Sequence, residues 1–328
     1  MKKFILKSIL YVFLILLALE GLVRLFHLYT EDPPRFIDEK GVEKRVPGYE
    51  GYSVTGNRNQ NFSEFRINEA GFNSEDDFKP TKDNVEIAII GDSFIEGFHQ
   101  DYDDSTGEKI EKKLPGVQVY EYGYAGYDLA NQMHLVYAYK DQFELIDRII
   151  IYLNYESDLG RGKYEPNYDR IKMLNSTLFK IRDNIKLLAY GSKIGILEPF
   201  KRLAQGGAFK EPEKGYQTNK LEKTEAQKAK EDSLRLANFK SLANLYGFDK
   251  KKTTILLDSR KTSQSFIDYC NTEAIDFIDF AEAFKKSKKS TTLIYDKHWN
   301  NNGRELIASE IADYIKKLDL QPTIDKKH

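Results

Sequence analysis

Hydrophobic and polar positions fall into three regimes along the chain. The first is continuous. Lys2, Lys3 and Lys7 lead into an unbroken apolar run from Ile9 to Leu19, and the mostly apolar stretch reaches Phe26, interrupted by Glu20 and Arg24. A bilayer span needs roughly 20 residues, which Phe4 to Phe26 supplies if the end charges snorkel. Glu20 and Arg24 are spaced i,i+4 and can pair on one helical face. The lysines mark the N-terminal side as cytoplasmic. Ala18-Leu19-Glu20 is a poor small-x-small cleavage pattern, and no cysteine follows the run to carry a lipid. Residues 1–27 are therefore expected to be an uncleaved anchor.

The second regime, 28–84, is irregular. Tyr29 to Tyr52 is rich in proline, glycine and charge and reads as a linker or an extended arm.

The third regime, 85–320, alternates short apolar runs with helical periodicity, ahead of a tail at 321–328. Val85 to Ile90 reads as a buried parallel strand ending in Gly91. A helix is expected over Thr106 to Leu114, a strand over Val117 to Tyr120, a helix over Asp128 to Phe143 and a strand over Ile149 to Leu153. Gly160 to Gly247 breaks the rhythm as a helical insertion: helical from Tyr168 to Leu203, glycine- and proline-bearing from Gln205 to Lys220, and a charged helix from Asn219 to Tyr246. The rhythm resumes with a strand at Thr253 to Leu257, a helix at Thr262 to Asn271, a fifth strand at Ile275 to Ile278 and a last helix at Gly303 to Leu318. Alternation of this kind predicts one α/β domain, a parallel sheet wrapped by helices.

Composition changes little in this picture. With 41% hydrophobic and 31% charged residues the chain suits a folded globular protein. A formal net charge of -1 gives nothing to attract nucleic acid. The lone cysteine, Cys270, leaves no intrachain disulfide and no cysteine-rich metal site. No phosphate loop, dinucleotide fingerprint or HExxH is present, so no cofactor and no metal is expected.

Candidate chemistry gathers at two places. Gly91-Asp92-Ser93-Phe94 follows the first strand of the sheet, where ligands bind in open α/β folds. There Ser93 would open the next helix, whose N–H groups favour a developing oxyanion. By itself the tetrapeptide equally fits an ordinary Asp or Ser helix cap. Of the five histidines, His27 lies at the membrane edge, His328 is terminal and His134 falls inside a helix. His99 is close to Ser93 in sequence, with no acid clearly set to orient it. His298 stands in Tyr295-Asp296-Lys297-His298-Trp299-Asn300, where Asp296 is near enough to fix its tautomer and stabilise the imidazolium.

Taken in order, Gly91-Asp92-Ser93-Phe94, Gly123-Tyr124-Ala125-Gly126-Tyr127 and Asp296-Lys297-His298-Trp299-Asn300 resemble the blocks of the SGNH (GDSL-like) hydrolase superfamily. Phe65 to Phe72 resembles the lead-in of its anchored members. The Asp-x-His-Trp form resembles the alginate-acetylation branch. The resemblance implies a three-layer, flavodoxin-like fold with a five-stranded parallel sheet. It makes Ser93 the nucleophile, His298 the base and Asp296 its orienter, with the Ser93 and Gly126 N–H groups in the oxyanion hole. Two departures matter. Tyr295 stands where many members carry the acid, and the family's third-block asparagine falls, without gaps, on Ser157, with Asn154 three residues early.

The expected activity is that of an extracytoplasmic O-acyl esterase or acyltransferase, at a periplasm or cell surface, acting through an acyl-serine on an acylated glycan or small molecule. The alternatives are a degenerate member that binds glycan or assembles a modification complex, and a lipid esterase. The insertion is expected to cover the site.

Overall fold

The computed structural model describes residues 1–55, 61–196, 224–318 and 320. Helix α1 (Lys2–Leu25) is unbroken over 24 residues. Its most apolar window has a mean hydropathy of 2.2 and none of it is buried. At about 1.5 Å per residue it is ~36 Å long, enough to cross a bilayer core of ~30 Å.

Strands β1 (Arg35–Ile37), β2 (Glu43–Arg45), β3 (Glu50–Thr55) and β4 (Asn61–Arg66) form two antiparallel pairs. The expected linker or extended arm is instead folded onto the domain. The reason is charge pairing that the local sequence does not show. β2 is buried throughout, and Arg45 donates from Nε to Glu96 Oε1 at 2.9 Å and from Nη1 to the Pro33 carbonyl at 2.9 Å. An unpaired buried guanidinium would be very costly, so the arm is held where its acid lies.

The domain runs β5 (Val85–Gly91), α2 (Ser93–Glu96), α3 (Thr106–Lys113), β6 (Val117–Gly123), α4 (Leu129–Ala138), α5 (Lys140–Leu145) and β7 (Arg148–Tyr152). The single helix expected over Asp128 to Phe143 breaks at Tyr139, which leaves helical geometry at φ -112°, ψ 32°. The insertion follows as α6 (Tyr155–Asp158), α7 (Tyr168–Leu174), α8 (Thr177–Asn184), α9 (Lys186–Lys193) and α10 (Glu225–Tyr246). Gln205 to Lys220, the start of the expected charged helix and the tail lie outside the described residues. The domain closes with β8 (Thr253–Leu257), α11 (Gln264–Thr272), β9 (Phe277–Asp279), α12 (Ala281–Lys286) and α13 (Asn301–Lys317).

The sheet is parallel and five-stranded, in the order β6-β5-β7-β8-β9. Its period of two builds both cores. Ala88 and Ile90 of β5 pack with Leu129 and Met133 of α4 and Phe239 and Leu242 of α10. Ile87 and Ile89 pack on the other face with Ile110 of α3 and Ile307 and Ile311 of α13. Helices cover both faces, giving the expected three-layer α/β architecture with its insertion after the third strand of the sheet.

Candidate active site

The chain passes from β5 to β6 on one side and then to β7 on the other. That reversal opens a crevice at the carboxyl ends of β5 and β7, the usual ligand position in open parallel sheets. Ser93 follows β5 and Asn154 follows β7, so the two stand on either side of it. Asp92 caps the four-residue α2, accepting the Phe94 N–H at 2.9 Å, and burial pushes its carboxyl up to about 6. Across the turn, a Cβ on Gly123 would sit 2.0 Å from the Glu96 nitrogen. Only glycine lets β6 end beneath α2.

The last block reads residue by residue. Trp299 is 3% exposed and plugs the loop onto the sheet, meeting Tyr152 edge-on at 4.8 Å between ring centroids and Phe94 at 4.9 Å. The Asn300 side chain caps α13 by accepting the Gly303 N–H at 2.9 Å, and its Nδ2 donates back to the Ser290 and Thr292 carbonyls. The His298 carbonyl accepts the Leu293 N–H at 2.9 Å, closing the hairpin. His298 is thereby carried to the crevice. Its Nε2 lies 2.8 Å from Ser93 Oγ, across 205 positions of sequence.

Asp296 Oδ1 accepts the backbone N–H of His298 at 2.8 Å. It also lies 3.0 Å from the ring Nδ1, but off the line of that N–H, so this contact is close without being a formed hydrogen bond. Orienting contacts of this kind commonly tighten only when substrate binds.

His99 belongs to the same cluster. Its Nε2 lies 3.3 Å from Asp296 Oδ2, and its ring stacks on His298 with centroids 3.9 Å apart. Burial, and then the neighbouring His298, lower it to about 4, so it is neutral near pH 7. His99, for which the sequence sets no clear acid, stands beside Asp296, which is thus shared between two imidazoles. Sequence distance hid it, because Asp296 arrives on another element.

Gly126 stands just past the carboxyl end of β6 at φ +97°, a left-handed conformation that favours glycine. The two third-block candidates separate. Asn154 lines the depression shared with Phe94 and His298, and its side chain does not cap α6. Ser157 is exposed on α6, its hydroxyl donating to Asp158 Oδ1 at 2.7 Å and to the Asn154 carbonyl at 3.3 Å. Counting onward from β7 without gaps carries the register into α6, and that helix turns Ser157 away. Beneath them, burial and then the charge of Asp92 push Asp158 up to about 8.

No family model and no curated protein matches the chain. Solved structures similar to it include a member of the lipolytic G-D-S-L family from Veillonella parvula, with a TM-score of 0.37 at 12% identity over 71% of this chain and 98% of its own. A psychrotrophic esterase from Pseudoalteromonas, inhibited by monoethylphosphonate, has a TM-score of 0.39 at 11% identity over 72% and 98%. A carbohydrate acetylesterase from Sinorhizobium meliloti has a TM-score of 0.36 at 11% identity over 71% and 99%.

Two hollows meet at Asp296. One, of about 420 Å³, is the depression beside His298. The other, of about 640 Å³, is walled by Glu31 and Asp32 of the arm and by Arg182, Lys186 and Lys193 of the insertion. His99, Asp296 and His298 also offer ligand atoms within 4.8 Å of one another, the spacing of a metal site. The two rings, however, lie 21° from parallel, so their in-plane lone pairs run side by side instead of converging on one ion.

Proposed function

We propose that this chain is a membrane-anchored serine hydrolase of SGNH type that cleaves or transfers O-acyl groups outside the cytoplasm. The observation that carries the reading is the 2.8 Å approach of His298 Nε2 to Ser93 Oγ. His298 takes the Ser93 proton as the hydroxyl attacks the ester carbonyl, and Asp296 stabilises the imidazolium that results. The Ser93 and Gly126 N–H groups and the Asn154 amide receive the oxyanion. Collapse expels the alcohol, protonated by His298, and leaves an acyl-serine. Water or a sugar hydroxyl then takes the acyl group.

An acylated glycan suits the hollows better than a long alkyl chain, since charged side chains line the larger one. A purely glycan-binding role would rest on the loss of the third-block asparagine, whose position falls on Ser157 when counted without gaps. Asn154 at the depression supports the catalytic reading over it. The lysines in the first turns of α1 support a cytoplasmic N-terminus with the domain on the far side.

The test is intact mass after incubation with a fluorophosphonate. One adduct is expected, absent in Ser93→Ala and reduced in His298→Ala. No adduct on the unaltered chain, where a known serine hydrolase labels, overturns the catalytic reading. Faster turnover of long-chain than of acetyl esters would count against a glycan.

A further inference from the structure

Glu20 and Arg24 interrupt the apolar run of α1, and charge in such a segment is costly unless it is paired. They pair with each other, Arg24 Nε donating to Glu20 Oε1 at 2.7 Å, and both then reach the insertion. Glu20 accepts the Lys186 N–H at 3.0 Å and the Leu187 N–H at 2.6 Å, at the start of α9. Arg24 Nη2 donates at 2.7 Å to the carbonyl of Asn184, the last residue of α8. One ion pair on α1 therefore closes two helix ends, the anion on N–H groups and the cation on a carbonyl, as the helix dipoles favour.

Helix rise sets the depth of this joint. From Lys3 to Glu20 the axis advances ~26 Å at ~1.5 Å per residue, against a hydrocarbon core of ~30 Å. With the lysines in one headgroup layer, the α8–α9 junction is held at the opposite edge of the core. On that junction Leu178, Ile181 and Ile185 follow an i, i+3, i+7 row and are 79%, 46% and 42% exposed. Ile194 and Ile196, just past α9, are 47% and 61% exposed.

We propose that α8 and α9 lie in the far headgroup layer of the bilayer that α1 crosses, with the Leu178, Ile181 and Ile185 row seated among phospholipids. The membrane is the occupant because the face is tethered, through Glu20 and Arg24, to the helix that spans it. Exposed Lys172 and Lys180 flank the row and suit anionic headgroups. The same helices give Arg182, Lys186 and Lys193 to the hollow that reaches Asp296, so one wall of that hollow rests on the membrane. The inference needs α1 to span a bilayer and is independent of catalysis.

The test places an environment-sensitive fluorophore on Leu178→Cys, Ile181→Cys, Leu14→Cys or Leu234→Cys in the full chain, one at a time. All four sites are exposed, and the native Cys270 is buried with its thiol pushed up to about 12, so it stays unlabelled. The chain is reconstituted in phosphatidylcholine and phosphatidylglycerol vesicles carrying shallow or deep nitroxide lipids. Shallow nitroxides are expected to quench the 178 and 181 probes about threefold more than the 234 probe on α10, while deep ones quench Leu14. Equal quenching at 178, 181 and 234 with Leu14 quenched overturns the proposal. A blue-shifted 178 probe that lipid nitroxides do not quench assigns the face to protein, such as a second copy, and also overturns it. An unquenched Leu14 removes the bilayer the proposal needs.

Discussion

Ser93 stands at the end of β5, a strand buried along its whole length and hydrogen-bonded to β6 and β7. His298 stands on a loop whose neighbour Ile294 is 94% exposed. The α2 turn is braced by sheet below and by the Arg45–Glu96 pair beside it. The histidine loop depends on Trp299 beneath it and Asn300 behind it. In the proposed reading, the nucleophile is held against the strain of attack, whereas the base comes within hydrogen-bonding distance and retains some freedom to turn toward the leaving group. The off-line Asp296 contact is on the looser side.

The strongest break in this comparison is Trp299→Ala. Removing a buried indole typically costs 3–5 kcal/mol. Chemical denaturation should show a loss of about that size, and fluorophosphonate labelling should fall in the protein that remains folded, because His298 has lost its seat. If labelling persists unchanged, the loop is held by something else. Next is Asn154→Ala, expected to lower turnover about 100- to 1,000-fold with little change in stability. Ser157→Ala should leave turnover nearly unchanged, and the reverse ranking would return the third-block role to Ser157. Asn300→Ala removes a helix cap and should cost ~1 kcal/mol in denaturation. Its labelling rate should drop more than that of a cap loss on α10, such as Thr224→Ala.

The smallest effect concerns pH. Asp158 is raised to about 8 and Asp92 to about 6, against ordinary values near 3.8. The folded state therefore holds protons that the unfolded chain releases. The stability this contributes is full below about pH 4 and declines as pH rises toward 8. Melting temperature should fall from pH 5 to pH 8 on this account, and Asp158→Asn should flatten the slope. An equally steep slope in the variant would remove Asp158 as its source.

Much of the fold was legible because its signals are local. Apolar runs placed the strands of the sheet within one to three residues, the widest miss being β6, which runs on to Gly123 where Tyr120 was expected. The fifth strand begins at Phe277, later than expected, because the Ile275 N–H closes α11 on the Cys270 carbonyl at 2.8 Å. At the site, Ser93, Asp296 and His298 could be singled out from motif and order. His99 could not, since its partner is the carboxylate of Asp296, 197 positions away. A histidine six residues after a candidate nucleophile was the only available signal.

What the sequence determined by itself was periodicity and composition: an apolar helix long enough to cross a membrane, a parallel α/β rhythm with an insertion, and the residue types needed for acyl chemistry. Those properties depend on near neighbours along the chain. Tertiary structure decided the remainder. It folded the arm onto α2 through Arg45 and Glu96, turned Ser157 away and left Asn154 at the crevice, gave Asp296 two imidazoles, and clamped α9 to α1 through Glu20. Apart from the α6 turn that separates Ser157 from Asn154, each of these is a polar contact between distant segments. Its stability comes from burial and pairing that exist only once the intervening chain has closed, and so no local pattern announces it.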